Sequence, residues 1–385
     1  MDSDVIIVGG GPAGLSTALH LVQKNPQWAE RVLVLEKAVY PRPKLCGGGV
    51  TRPGLDILTG LGLSLTLPSV RVKEVFFRYR DLVYKLEGNP AFVVVARQAF
   101  DAWLAGEARK RGIVICEGVK ALDVRADESG VTVFTTDGRL RARALVVADG
   151  SNSVVRRKLK WGAGRKALLL EVITPASENE DYLTRGAATF DWKVLDFGVE
   201  GYYWDFPTPS KNEAQQINRG VFHSRVYAHR PRPDLRQALA QMLAIRGLNL
   251  DDYPLKGHPI HWFSPGDALA RPRVLLAGDA AGADPLLGEG ISFALGYGLV
   301  AADALSAAFA SGDYSFIDYE DRVHRHWLLR QLRARRWGAS IAFGVMRSGW
   351  MTRGLWRIAP WLFRIMARVR PDYFPLDDRR MLSAS

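Results

Sequence analysis

The first fifty residues constrain this chain more than any other stretch. Val5 to Val8 is an apolar run of strand length, and Gly9-Gly10-Gly11-Pro12-Ala13-Gly14 follows it directly. A helical pattern runs from Pro12 to about Gln23, and a second apolar run, Val32 to Leu35, ends on Glu36. Gly9, Gly11 and Gly14 fall in a GxGxxG spacing. In a strand–turn–helix unit the first glycine permits the tight turn and the second lets backbone approach a pyrophosphate. The third lets helix and strand pack closely. The helix N-terminus, at Pro12 and Ala13, presents free N–H groups and partial positive charge to phosphate. Glu36 stands 22 residues beyond Gly14, where a carboxylate accepts hydrogen bonds from a ribose diol. The stretch predicts a dinucleotide site. The acid disfavours a 2′-phosphate, while FAD and NAD both stay open at this point.

The chain has 385 residues, enough for two domains. Its 48% hydrophobic and 24% charged residues argue against a disordered chain. Fifty-two Lys and Arg against 40 acids give a net charge of +12. That balance points to an anionic partner: a membrane surface, nucleic acid or a phosphorylated substrate. Cys46 and Cys116 do not make a disulfide framework, so a reducing, cytoplasmic compartment is expected. The acidic start, Met1 to Asp4, predicts no signal peptide. No run of 18 uncharged apolar residues occurs, so no membrane span is expected. No metal site is expected either.

After Glu36 and Lys37 the prolines of Tyr40-Pro41-Arg42-Pro43-Lys44 predict an extended loop. Cys46-Gly47-Gly48-Gly49 then lets backbone come close to something flat or bulky. Cys46 is a candidate proton donor or relay if a cofactor lies nearby, and otherwise a small residue in a flexible loop. Strands are expected over 71–96. Arg97 then opens a helix that carries Phe100, Trp103, Leu104 and Ala108 at helical spacing. Arg97 either caps a surface or contacts a ligand phosphate or ribityl group. Short strands follow to Val147, and Asp149-Gly150 falls at the carboxyl edge of the sheet, where ligands bind in open α/β sheets. Of the basic run from Arg156 to Lys160, Arg156 is expected to turn inward.

Leu168–Ile173, Val194–Val199, Tyr202–Phe206 and Gly220–Tyr227 read as strands of a largely antiparallel sheet. In a strand, Tyr202, Trp204 and Phe206 share one face and Tyr203 and Asp205 the other. The three aromatics face either a core or a substrate pocket. A helix is expected over 232–248. Val274 to Ala277 then runs into Gly278-Asp279, the Gly288-Glu289-Gly290 turn and a long apolar helix from Ile291 to about Ala310. Asp279 is placed to accept from a ribityl hydroxyl. The dipole of the Ile291 helix would stabilise an anionic reduced flavin. From Asp318 the chain reads as helical, basic and aromatic. Trp327, Trp337, Phe343, Trp350, Trp356, Trp361 and Phe363 are interleaved with arginines that include Arg364 and Arg368. Such a region either packs with snorkelling arginines or dips into an anionic bilayer. No nucleic-acid recognition module is apparent.

The N-terminal GxGxxG with Glu36, Asp149-Gly150 with Arg156, and Gly278-Asp279 occur in that order. Together they resemble the FAD-dependent oxidoreductases of the glutathione-reductase type, with the para-hydroxybenzoate-hydroxylase fold. The resemblance extends to about residue 310. It implies a Rossmann-type α/β FAD-binding domain (1–70, 97–165 and 266–310) and an inserted antiparallel substrate domain (71–96 and 166–265), followed by a helical region over 311–385. It implies FAD held by Gly9, Gly11, Pro12, Ala13, Gly14, Glu36, Lys37 and Arg97. Cys46, Gly47, Gly48, Asp149, Gly150, Gly278, Asp279, Gly288, Gly290 and Ile291 complete that set. Pro43 to Gly49 and Tyr202-x-Trp204-x-Phe206-Pro207 further resemble the geranylgeranyl reductase family, which saturates isoprenoid double bonds. In that family the cysteine and the aromatic motif line the substrate cavity, which implies catalytic roles for Cys46, Tyr202 and Trp204 and substrate contacts from Phe206 and Pro207. The family pattern continues with GxG some eight residues after the proline. Here Gly220 comes 13 residues after Pro207, with no second glycine.

The resemblance implies a flavin-dependent reductase of prenyl chains. Its partners would be a prenylated lipid or prenyl diphosphate, an external electron donor (NAD(P)H or a reduced carrier protein) and an anionic membrane surface. Nucleic acid is not among them. The expected location is cytoplasmic, peripheral at the inner face of the cell membrane. A flavin monooxygenase or halogenase on the same fold is the alternative. A non-catalytic electron carrier is the third reading.

Overall fold

The computed structural model describes residues 2–358, apart from 163, 178–179, 181–182, 184 and 210–215. Trp361, Phe363, Arg364 and Arg368 lie outside the described residues. Five parallel strands form one sheet in the order Val274–Leu276, Ala144–Val147, Val5–Val8, Val32–Glu36 and Val114–Glu117, with Ala270–Arg271 antiparallel at one edge. Val5–Val8 and Ala144–Val147 are buried throughout, as strands covered on both faces must be. Helices Pro12–Lys24 and Ile291–Ser311 cover this sheet. A three-stranded meander over Ala121–Ala142 fills the crossover back to the centre.

The Ile291–Ser311 helix has the length and mean hydropathy (1.5) of a membrane span, although none was expected from the sequence. Within this fold it is an interior helix, with 67% of its most apolar window buried. Ser16 Oγ donates to the Leu295 carbonyl at 2.8 Å. A Cβ added to Gly298 would lie 2.5 Å from that of Ser16, so a glycine there is what lets the two helices touch.

The second sheet has eight strands, in the order Lys256–Trp262, Arg165–Pro175, Gln216–His223, Gly201–Thr208, Ala187–Asp191, Ser69–Tyr79, Leu82–Val95 and Gly49–Thr51. All its pairs are antiparallel except Ala187–Asp191 with Ser69–Tyr79. Helix Leu235–Ala244, shorter than the expected 232–248, packs on its far face with Tyr203 and Val221. Two expectations fail here. Val194–Val199 is not a strand: Trp192–Phe197 is a 3-10 turn, started by the Asp191 side chain accepting from Lys193 N at 2.9 Å and ended by Gly198 at φ +78°. Local capping chemistry outcompetes the alternating pattern there. The expected Gly220–Tyr227 strand instead spans Gln216–His223, because pairing with Gly201–Thr208 fixes its register.

Helices Tyr319–Arg325 and Gln331–Val345 follow. Their side chains divide between the two readings of the region. Phe343 and Trp356 are buried, while Trp337 and Trp350 are 68% and 78% exposed.

Candidate active site

Three parallel strands end at the same place. Val5–Val8 runs into Gly9, Ala144–Val147 into Ala148-Asp149, and Val274–Leu276 into Ala277-Gly278-Asp279. Strand order reverses at Val5–Val8, and the crevice beyond the carboxyl ends of such strands is where ligands bind. A cavity of about 580 Å³ opens there and continues to the second sheet. Gly9 sits at φ +111°, and a Cβ on it would lie 2.2 Å from the Ala148 carbonyl oxygen. A Cβ on Gly14 would lie 2.0 Å from the Gly9 oxygen, so this glycine packs helix on turn and is not on the cavity wall. Gly11, Pro12 and Ala13 line the cavity, and a Cβ on Gly11 meets nothing nearer than Arg42 Nη2 at 3.8 Å. The helices starting at Pro12 and Ile291 have no side-chain cap, and both open on the cavity. Two unfilled helix N-termini facing one space make an anion site.

Glu36 is buried; its Oε2 accepts from Gly10 N at 3.0 Å and its Oε1 from Ala38 N at 3.1 Å. Arg42 Nη2 bridges Glu36 (3.3 Å) and the buried Asp101 (3.2 Å). Arg97 grips Asp101 with two hydrogen bonds, 2.9 and 3.0 Å. Lys37, Gly150, Gly278, Gly288 and Gly290 also lie on the wall. Asp149 accepts from Val154 N at 2.8 Å and so caps the short helix that follows, while its buried Oδ1 lacks a protein partner. Burial holds the Asp149 carboxyl above its ordinary range. Asp279 accepts from Ser151 Oγ at 3.0 Å. Arg156 turns inward as expected and donates to the Ala280 carbonyl at 2.7 Å. It braces the Asp279 loop and does not reach the cavity.

The other end of the cavity is aromatic. Tyr202, Trp204 and Phe206 line it from one face of their strand, joined by Phe92, Phe190 and Phe222. Ring centroids in this basket lie 5.1 Å (Phe190–Tyr202), 5.3 Å (Phe92–Phe206) and 5.5 Å (Tyr202–Phe222) apart. Tyr203 and Asp205 face away, where Asp205 binds Arg219 and Arg246. Pro207 does not line the cavity: strand parity puts it on the face of Asp205. Gly220 stands opposite Trp204, and a Cβ there would lie 2.3 Å from the indole. The Tyr202 hydroxyl donates to the Leu287 carbonyl. Burial, with Asp284 nearby, pushes this phenol far up, so it offers a ring and not a proton.

The Cys46–Gly49 loop crosses between the two ends. A Cβ on Gly47 would lie 3.0 Å from Phe206, and Gly48, at φ +78°, has no room for one beside the Val95 carbonyl. The half-buried Cys46 thiol accepts from Gly48 N at 3.4 Å. Lys44 Nζ lies 3.0 Å from His258 Nε2. Burial lowers both groups, His258 to about 4, so the imidazole is neutral and accepts from the ammonium. Sequence reasoning missed Arg42, Lys44, Asp101, Phe190, Phe222 and His258 as site residues. Only Lys44 carried a local signal, in the Pro43–Gly49 motif.

Residues 2–185 match a family described as FAD binding domain. The chain is 29% identical over 341 residues to menaquinone reductase of Mycolicibacterium smegmatis, covering 81% of this chain and 78% of that protein. It is 27% identical over 339 residues to digeranylgeranylglycerophospholipid reductase of Thermoplasma volcanium, covering 81% and 80%. Its fold superposes on a geranylgeranyl bacteriochlorophyll reductase-like protein from Thermoplasma acidophilum with a TM-score of 0.71, at 22% identity, over 90% of this chain and 91% of that one. The open glycine turn, the two uncapped helix N-termini and the partnerless Asp149 oxygen fit an extended dinucleotide. Residues 2–185 therefore form an FAD-binding domain, and the chain is a flavin-dependent oxidoreductase with FAD as its cofactor, similar to proteins named as reductases of the geranylgeranyl type.

Proposed function

We propose that the protein saturates carbon–carbon double bonds of an isoprenoid chain. The observation that carries this reading is one continuous cavity whose glycine-lined end fits the cofactor and whose far end is a basket of six aromatic rings. Two relatives are named for a digeranylgeranylglycerophospholipid and for menaquinone, both of which carry prenyl chains. An isolated trisubstituted alkene is not electrophilic, so a proton must arrive before or with hydride, giving tertiary cation character. Reduced FAD, when bound, supplies the hydride. The faces of Tyr202 and Trp204 stabilise the developing cation, by about 2 kcal/mol each when desolvated. Cys46 relays the proton at its thiol. Gly9, Gly11 and the Pro12 helix would hold the pyrophosphate, Glu36 the ribose and Asp279 the ribityl chain, with Arg97, Lys37 and the Gly288–Ile291 turn beside them.

The same reading places the protein at an anionic membrane surface, where a prenylated lipid resides. From Arg322 to Ile358 the sequence contains no Asp or Glu. Trp337, Ile341, Trp350 and Ile358 are exposed among exposed Arg330, Arg333, Arg347 and Arg357. Trp356 of this region stacks on Tyr84 (5.8 Å) and meets Trp192 (5.2 Å), which adjoins Tyr202 of the cavity (5.7 Å).

The deciding experiment is anaerobic reoxidation of the reduced flavoprotein by a panel of prenyl diphosphates, prenylated lipids and quinones. Reoxidation with loss of a prenyl double bond is expected. Oxygen uptake coupled to NAD(P)H oxidation on an aromatic substrate, without prenyl reduction, would favour a monooxygenase or halogenase.

A further inference from the structure

Asn218 is buried on the strand Gln216–His223, opposite Phe206 in register, and its side chain shares the sheet face of the aromatic wall. Its Oδ1 accepts from Trp204 Nε1 at 2.7 Å. Its Nδ2 donates to the Cys46 carbonyl at 3.4 Å. A primary amide is the side chain that satisfies an indole N–H and a carbonyl from opposite ends of one planar group. Behind it stands Glu171, buried on the neighbouring strand opposite Gly220. Asn218 and the Cys46 backbone N–H lie beside the Glu171 carboxyl and favour its charged form, while its Oε2 has no protein partner. Burial holds this carboxyl above its ordinary range, with Lys256 and Lys44 the charged groups facing it. The loop lies directly on the rings: a Cβ on Gly47 would be 3.5 Å from Trp204 Nε1.

We infer that Asn218 is a positioning residue that locks the Trp204 indole and the Cys46 loop into one frame, with Glu171 as the frame's buried third corner. The consequence rests on the reductase reading. The ring that faces the developing cation and the thiol that relays the proton are held at a fixed separation by a single amide. A merely structural asparagine would satisfy the indole and leave the loop to pack by itself.

Asn218→Asp separates the two arms. It keeps the acceptor for Trp204 Nε1 and turns the donor to the Cys46 carbonyl into an acceptor. Asn218→Leu removes both arms. Both are made in full-length, FAD-loaded protein carrying Cys116→Ser, so that alkylation by iodoacetamide reports Cys46 alone. The alkylation rate in Asn218→Asp is expected to rise about fivefold or more. The anaerobic single-turnover rate with geranylgeranyl diphosphate should fall about tenfold or more, with the apparent dissociation constant of that probe within about twofold, as expected for misplacement of reacting groups. Should Asn218→Leu fail to fold, Asn218→Asp decides alone. Unchanged alkylation together with an unchanged turnover rate in Asn218→Asp overturns the frame. Faster alkylation in a protein whose parent reduces no prenyl probe leaves the frame standing and removes the reductase reading instead.

Discussion

Gly220→Ala tests the aromatic wall with one added methyl group. The new Cβ would lie 2.3 Å from Trp204 Cζ2 and 2.4 Å from the Leu170 carbonyl oxygen. To go from 2.3 Å to the 3.4 Å of ordinary contact, the ring edge must retreat by about 1.1 Å. The indole cannot retreat freely, because Asn218 holds Nε1 at 2.7 Å and Gly47 lies against it. Overpacking of this kind costs about 1–3 kcal/mol. Reduced freedom of the unfolded chain offsets about 0.4–1 kcal/mol of that, so the melting temperature should fall by only a few degrees. Catalysis should suffer more, since a 1 Å misplacement costs about a hundredfold. We expect anaerobic prenyl reduction to drop by about ten- to a hundredfold with FAD content intact, because Gly220 touches none of the cofactor-end residues. The assay is single-turnover flavin reoxidation by geranylgeranyl diphosphate, with flavin stoichiometry and melting temperature measured on the same samples. Native-rate turnover in a folded Gly220→Ala protein would refute the reasoning that ties rate to the position of the Trp204 ring.

Asp279→Ala should weaken FAD retention by about 1.5–3 kcal/mol, the worth of a charge-assisted hydrogen bond; titrating apoprotein with FAD checks this, and an unchanged Kd would remove Asp279 from the cofactor site. Cys46→Ser should lower turnover with FAD content and melting temperature nearly intact, and a normal single-turnover rate would exclude an essential thiol. Burial lowers His20 and His223 to about 4. Their folded values lie below the ordinary 6.5, so the stability they contribute is complete above pH 6.5 and is lost as pH falls toward 4. Melting temperature should decline through that window, less steeply in His20→Gln, and a flat profile would contradict the assignment. Binding to anionic vesicles should weaken with salt and with Trp337→Ser combined with Trp350→Ser. Equal binding to neutral vesicles would count against an electrostatic surface.

The cofactor end was legible because its determinants are local. Gly9, Gly11 and Gly14 are read from one turn, and Glu36 from the next strand. Period-two alternation separated Tyr202, Trp204 and Phe206 from Tyr203 and Asp205 before any pairing was known. The same rule, applied one residue further, would have excluded Pro207. The aromatic basket was only half legible, because Phe92, Phe190 and Phe222 reach it from other strands whose order no local pattern encodes. Asn218 and Glu171 were invisible for the same reason. Each is one of several polar residues in its strand, and only the register of Arg165–Pro175 against Gln216–His223 brings them together. The Trp192–Phe197 turn failed differently: Asp191 and Gly198 are helix-boundary signals that the alternating hydrophobic residues between them obscured.

The electrostatics of the cavity explain why its two ends do not compete for one ligand. Arg42 and Arg97 are already spent on Glu36 and Asp101, so two guanidiniums and two carboxylates nearly cancel. What remains for a pyrophosphate is the pair of helix N-termini with Lys37, Lys120 and Lys44, the last of which burial biases away from its charged form. A phosphate beside Lys44 would favour its charged form and strengthen the Lys44–His258 contact at the edge of the loop that carries Cys46. The aromatic end has no such reserve. Its buried acid, Glu171, is biased toward the neutral form, and its phenol, Tyr202, donates to a backbone carbonyl. A charged headgroup placed among those rings would meet aromatic faces, with the nearby Arg335 paired to Asp284 and Glu289, and would bear the cost of leaving water. An apolar chain meets no such penalty, so on the reductase reading the division of charge along the cavity would admit a prenyl tail to the basket and keep phosphates at the glycine turn.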